Sequence, residues 1–171
     1  MNHYEFTIHL DREPSDDELD LLYEAGFADS SPEQGNGQGC IHVDRDALSL
    51  EGALMSAVEQ ARTAGFEVIA IDDEDLVGAS TIATRLGKSR QYIHQLAAGK
   101  EGPGGFPIVE NGDGWALYSW TQVARWARER LGMNIPEDER TRILATADHA
   151  LRARAMTTAT EREWAARLLT A

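Results

Sequence analysis

Arg90, Gln91, Tyr92, His94 and Gln95 crowd polar, donor-rich side chains into a very short stretch. Arginine can donate to guanine O6 and N7 together, and glutamine can pair with adenine N6 and N7, so this set suits the edges of bases. Each good pair of that kind is worth about 1–3 kcal/mol of discrimination. Ser80 and Thr81 lie before the stretch, Lys88 and Ser89 at its start and Lys100 just beyond it. Tyr92 and His94 read equally as packing groups against a neighbouring segment. Arg125 and Arg128, further along, read equally as backbone contacts or as part of a solvated face. Other chemistry is absent from the pattern. Serines are plentiful, but there is no nucleophile elbow, no histidine-base partnership and no metal-ligand pair at helical spacing, so no enzyme activity, cofactor or metal is expected. The single cysteine, Cys40, excludes an internal disulfide and a multi-cysteine zinc site.

The elements that must position these groups begin with Ala79 to Ala98, ASTIATRLGKSRQYIHQLAA. Ser80 is expected to cap a first helix whose apolar positions Ile82, Ala83 and Leu86 share one face. Gly87 suits the left-handed residue that ends a helix, and Ser89 caps the next, Arg90–Ala98, with Ile93 and Leu96 or Ala97 as its narrow apolar underside. Two short helices about a glycine turn, the second polar outward, make a helix-turn-helix. Downstream, Phe106–Val109 is expected to pair with Trp115–Tyr118 around a turn at Asn111–Gly114, forming a wing. A closing helix follows, capped by Ser119 or Thr121, with Val123, Trp126, Ala127 and Leu131 on one face and Gly132 at its end. Trp115, Trp120 and Trp126 fall on inner faces and read as core.

Residues 76–131, in the runs LVGASTIATRLGKSRQYIHQLAAG and FPIVENGDGWALYSWTQVARWARERLG, resemble the winged helix-turn-helix of MerR-like, AlpA-type and excisionase-type DNA-binding proteins. The resemblance covers about a third of the chain. It implies that double-stranded DNA is the partner, with the second helix in the major groove and the wing against backbone or minor groove. By position it makes Arg90, Gln91, Tyr92, His94 and Gln95 the readers of bases or phosphates, and gives Ser80, Thr81 and Ser89 roles as caps and phosphate contacts. Lys88 stands where the family more often has a buried valine, so it is expected to reach a phosphate. The wing, Glu110 to Gly114, is acidic rather than basic.

Residues 1–75 read differently. Tyr4, Phe6, Ile8 and Leu10 alternate with polar residues, the period of a half-buried strand. Asp16–Ala25 follows as a helix stopped by Gly26, then a weak strand Phe27–Ser31, a GNGQG turn, a strand Cys40–Arg45, a helix Leu50–Ala64 and a strand Phe66–Asp72. The order strand, helix, strand, strand, helix, strand predicts a ferredoxin-like sheet with both helices on one face. His9 and His42 then lie on its open face near Glu5, Thr7 and Asp44. That face reads as a solvated polar surface or a docking site for a second copy or another protein; a small-molecule sensing site there is a further reading. The run Asp72 to Asp75 reads as a charged linker.

Charge divides the chain in the same place. Residues 1–75 hold 19 Asp+Glu against 3 Lys+Arg, and residues 76–171 hold 10 against 13, within a formal net charge of −13. Such acidity argues against non-specific coating of nucleic acid, while a mildly basic reader beside an acidic domain remains compatible with DNA binding. Beyond the Ile135-Pro136 break, acids at 137–139 open a helix with Ile143, Leu144, Ala147, Leu151 and Ala155 in a stripe. A short amphipathic helix with Trp164, Leu168 and Leu169 closes the sequence. This C-terminal segment is expected to pack on the DNA-binding module or on a symmetry mate.

The fold expected is therefore α+β: an acidic ferredoxin-like domain at 1–75, a winged helix-turn-helix at 76–134 and a helical segment at 135–171. The function expected is sequence-specific binding of double-stranded DNA by a homodimeric transcriptional regulator. The alternatives are a protein-interaction adaptor, antitoxin-like or immunity-like, whose acidic domain captures a basic partner, and an excisionase-like architectural factor. With no signal pattern and no run near membrane-spanning length, a cytoplasmic, nucleoid-associated protein without membrane contact is expected.

Overall fold

The computed structural model describes residues 1–35, 37–110 and 116–171. The chain is mixed α+β and forms two compact units, one of Met1–Asp72 with Ile143–Ala171, the other of Asp73–Arg142.

In the first unit the alternating N-terminal run becomes β1 (Asn2–Leu10), which sends Phe6, Ile8 and Leu10 into the core. It lies at the middle of an antiparallel sheet of order β2-β3-β1-β4, with β2 at Ser30–Gly35, β3 at Gln38–Ala47 and β4 at Val68–Ile71. The first and third strands pair from Asn2↔Ala47 to His9↔Cys40, as the order of elements leads one to expect. Helix α1 (Asp16–Leu22) and helix α2 (Leu50–Thr63) add Leu22, Leu50, Ala53, Leu54, Ala57 and Ala61 to the same core. Each fully buried large aliphatic side chain there contributes about 1.5–3 kcal/mol.

The weak second strand is real, but it starts later than Phe27. Helix α1 ends in a wider turn, Tyr23–Phe27, in which Gly26 takes φ 115°. The positive φ demands glycine here, and a Cβ would also displace the end of the Gln60 side chain. Phe27 is consequently spent on the core, and β2 pairs with β3 from Ser30↔Val43 to Gly35↔Gln38. Asn36 of the expected turn lies outside the described residues.

Arg45 sits on the core side of β3. Its guanidinium donates to Ser56 Oγ (2.9 Å), Gln60 Oε1 (2.7 Å) and Asp29 Oδ1 (3.2 Å), and lies 5.5 Å from the Phe27 ring centroid. Its Nε is buried without a partner among the described residues. A buried cation is tolerated here because its hydrogen bonds replace most of the lost water.

The C-terminal segment departs from expectation. Helix α6 (Glu139–Met156) contributes Leu144 and Leu151 to the core of the first unit, not to that of the second. Buried Asp148 accepts from Ile71 N–H (2.9 Å) and from Arg152 Nε (2.6 Å), and Arg154 donates to Val68 C=O (2.8 Å). Helix α7 (Ala159–Leu168) is capped by Thr158 and Glu161 but buries none of its residues, and Trp164, Leu168 and Leu169 are exposed.

In the second unit, β5 (Leu76–Gly78) leads into α3 (Ala79–Leu86) and α4 (Arg90–Ala97), and β6 (Leu117–Ser119) leads into α5 (Trp120–Leu131). The expected wing is corrected on one point. β6 pairs antiparallel with β5, from Leu76↔Ser119 to Gly78↔Leu117, rather than with Phe106–Val109. The latter is not a strand; just after it, Glu110 N–H donates to Leu117 C=O of β6 (2.9 Å). The Asn111–Gly114 turn and Trp115 lie outside the described residues.

Candidate nucleic-acid interface

Helices α3 and α4 are built as their sequence suggests. Ile82, Ala83 and Leu86 of α3 and Ile93 and Leu96 of α4 are buried in one cluster with Tyr118, Trp120, Val123 and Trp126. Gly87 ends α3 in the left-handed region (φ 61°), and the Ser89 hydroxyl caps α4 by accepting from Tyr92 N–H (3.1 Å). The cap of α3 differs: Gly78 holds that position without a side-chain hydrogen bond, and Ser80 lies in the first turn instead. There Ser80 and Thr81 are both exposed, and Ser80 C=O accepts from Thr84 Oγ1 (3.1 Å).

Burial of Ile93 and Leu96 turns the remaining positions of α4 outward. Arg90, Gln91 and His94 are exposed, and Gln95 and Tyr92 are half-buried. Arg90 Nε lies 3.3 Å from His94 Nε2, one helical turn on, so the two side chains form a joined edge. Tyr92 packs against the cluster with its ring 6.0 Å from Lys88 Nζ, so it supports the lysine. Lys88, Ser89 and Lys100 are exposed, and the Lys100 backbone folds back to Gln95 C=O (2.9 Å) just past the helix end. The ten residues singled out in the sequence thus fall on the first turn of α3, the inter-helix turn, the outer side of α4 and the residues following it.

Several groups that hold this surface were not singled out. Asp75, read as linker, is buried; its carboxylate accepts from Thr121 N–H (2.7 Å) and its C=O from Trp120 N–H (2.7 Å), fixing the start of α5 beside the Ser119 cap. A carboxylate at a helix N-terminus is favoured by the exposed N–H groups and the helix dipole. Arg85 stacks over Trp120 at 4.8 Å. Phe106 sits edge-on to Tyr118 (5.4 Å) and Trp126 (5.1 Å), and Trp126 Nε1 donates to Gly104 C=O (2.9 Å), which anchors the glycine-rich loop. Arg125 pairs with Glu129 (3.1 Å), and Arg128 lies 3.9 Å from Glu137.

The open sheet face of the first unit forms a second polar surface. Thr7 Oγ1 meets His42 Nδ1 at 2.7 Å and His9 Nε2 meets Asp72 Oδ1 at 2.7 Å. His3 lies 2.9 Å from Asp44, 3.5 Å from Glu5 and 3.3 Å from Asp46. The Asp46 hydrogen bond and the Asp44 charge raise the pKa of His3, so a proton there neutralises part of the acidic ladder. His3, Glu5 and Asp44 also bring ligand-type atoms within 4.8 Å of one another, all on exposed side chains.

Comparison of the chain with family models, with curated protein sequences and with solved structures returns no significant match.

Proposed function

We propose that this protein binds double-stranded DNA sequence-specifically and acts as a transcriptional regulator by occupying its site. In this reading Asp73–Arg142 is a winged helix-turn-helix in which β5, β6 and the Phe106 loop brace the reader, and the first unit is a ferredoxin-like domain. The observation that carries it is α4: a helix fixed by a glycine stop, a serine cap and two buried aliphatics, whose outward side holds Arg90, Gln91, His94 and Gln95. Solubility alone asks for polar residues on such a helix, not for this run of arginine, glutamine and histidine. Phosphate contacts from Ser80, Thr81, Lys88, Ser89 and Lys100 set register, and Arg90 to Gln95 set sequence. A homodimer doubles the cationic contact, which matters for a chain of net charge −13, and binding of genomic DNA would hold the protein on the nucleoid in the cytoplasm. Selection of bound sequences from random duplex DNA at fixed salt tests the reading: a recurrent motif supports it, and an unenriched pool overturns it.

The acidic first unit favours a second reading, a protein-interaction adaptor that captures a basic partner through the ladder of His3, Glu5, Asp44 and Asp46. Retention of a basic protein by the full chain, lost when Asp44 and Asp46 are changed to Asn, supports it.

A further inference from the structure

The first unit carries 19 Asp+Glu against 7 Lys+Arg, yet three of those seven arginines line one cavity. Arg62 near the end of α2, Arg154 near the end of α6 and Arg162 in α7 surround about 340 Å³, with Glu67, Val68, Ile69 and Ala155 completing the walls. Each guanidinium is tethered at one side. Arg154 Nη2 donates to Val68 C=O (2.8 Å) and pairs with Glu67 (2.9 Å); Arg62 Nε lies 3.6 Å from the same carboxylate. Arg162 Nη1 donates to the C=O groups of Thr157 (2.7 Å) and Arg154 (3.4 Å) at the end of α6. Among the described residues these tethers leave both Nη atoms of Arg62, Nε and Nη1 of Arg154, and Nε and Nη2 of Arg162 without a protein acceptor. One carboxylate therefore stands against three cations.

We propose that this cavity is a binding site for a small phosphate monoester. Two positive charges remain uncompensated, and a phosphate monoester near pH 7 carries about −1.5 to −2 charges, so it balances the site. Its oxygens match the paired N–H groups of guanidinium, and Val68, Ile69 and Ala155 offer an apolar wall to its organic part. The site lies in the unit that lacks the helix-turn-helix and does not depend on DNA binding. Occupancy has a mechanical effect: α7 buries no residue, and a phosphate bridging Arg162 to Arg62 and Arg154 ties it to α2 and α6.

Calorimetric titration of the full chain with phenyl phosphate and with inorganic phosphate, against chloride and succinate at matched ionic strength, tests this. Saturable one-site binding of both phosphates is expected. Arg62→Gln and Arg162→Gln, both surface changes that circular dichroism can show to be folded, should each weaken it about tenfold, the loss of a charge-assisted hydrogen bond. Hydrogen exchange in α7 should slow on saturation. No saturable heat up to about 10 mM phosphate, equal affinity in the variants, or binding of succinate alone would overturn the assignment.

Discussion

Arg90 and Gln95 are the residues on which the DNA reading turns, and both can be removed without touching a core. Arg90 is exposed and Gln95 half-buried, while Ile93 and Leu96 hold the helix. Changing both to Ala should remove about 1–3 kcal/mol of discrimination per lost base contact, measured as target over competitor affinity at fixed salt, with an unchanged circular dichroism spectrum. Undiminished discrimination in that variant would shift the reader to another surface. In the first unit, Glu18 shows what a local network does to titration. Arg12 first, then the backbone and hydroxyl of Ser15, hold its carboxyl down to about 2, from 4.5. Because the folded value is the lower one, Glu18 stabilises the fold above about pH 4.5 and that contribution is lost as the pH falls toward 2. In Glu18→Gln the acid unfolding curve should lose this component while stability near pH 2 stays close to wild type. The alternating and helically spaced apolar residues were legible in the sequence because burial of Ile8 or Ile93 follows from period alone. Arg45, Asp75 and Asp148 were not. A charged residue is buried only where distant partners such as Gln60, Thr121 N–H or Ile71 N–H meet it, and a linear pattern carries no sign of them.

Between elements, punctuation was easier to read than pairing. Gly87, Ser89, Ser119 and Gly132 stand at the helix ends their types suggest, because caps are satisfied by residues three or four positions away. Gly87→Ala keeps the side chain clear of neighbours but forces a Cβ into the left-handed region, so a loss of about 1–2 kcal/mol in chemical denaturation is expected. A larger loss would mean that the turn has a packing role as well. The partner of β6 was not legible. Three-residue strands have no period to display, and Phe106, which looked like the start of a hairpin strand, gives its ring to Tyr118 and Trp126 instead. Position in the sequence favoured the nearer segment; the structure pairs β6 with β5, about forty residues away, so that α3 and α5 start from opposite ends of one antiparallel ladder.

For the molecule as a whole, the sequence boundary near residue 75 marks a real change of charge and of fold, but the C-terminal helix crosses back to the first unit. Leu144 and Leu151 are each 8% exposed or less within a core otherwise made from Met1–Asp72. Burial of each is worth about 1.5–3 kcal/mol. A fragment of residues 1–75 should therefore unfold at lower denaturant than a covalent or mixed assembly that restores 143–171, and adding that segment in trans should recover part of the difference. Equal stability with and without it would show that α6 is dispensable to the sheet. The tether through Asp148 and Arg154 also carries a consequence in time. During synthesis β4 leaves the ribosome 77 residues ahead of the Asp148 carboxylate that accepts from Ile71 N–H and 86 ahead of the Arg154 guanidinium that donates to Val68 C=O. Until they arrive the nascent sheet offers a raw outer strand to any passing extended chain, so the unit of Asp73–Arg142 is free to mature first, while the acidic unit is the last to be finished.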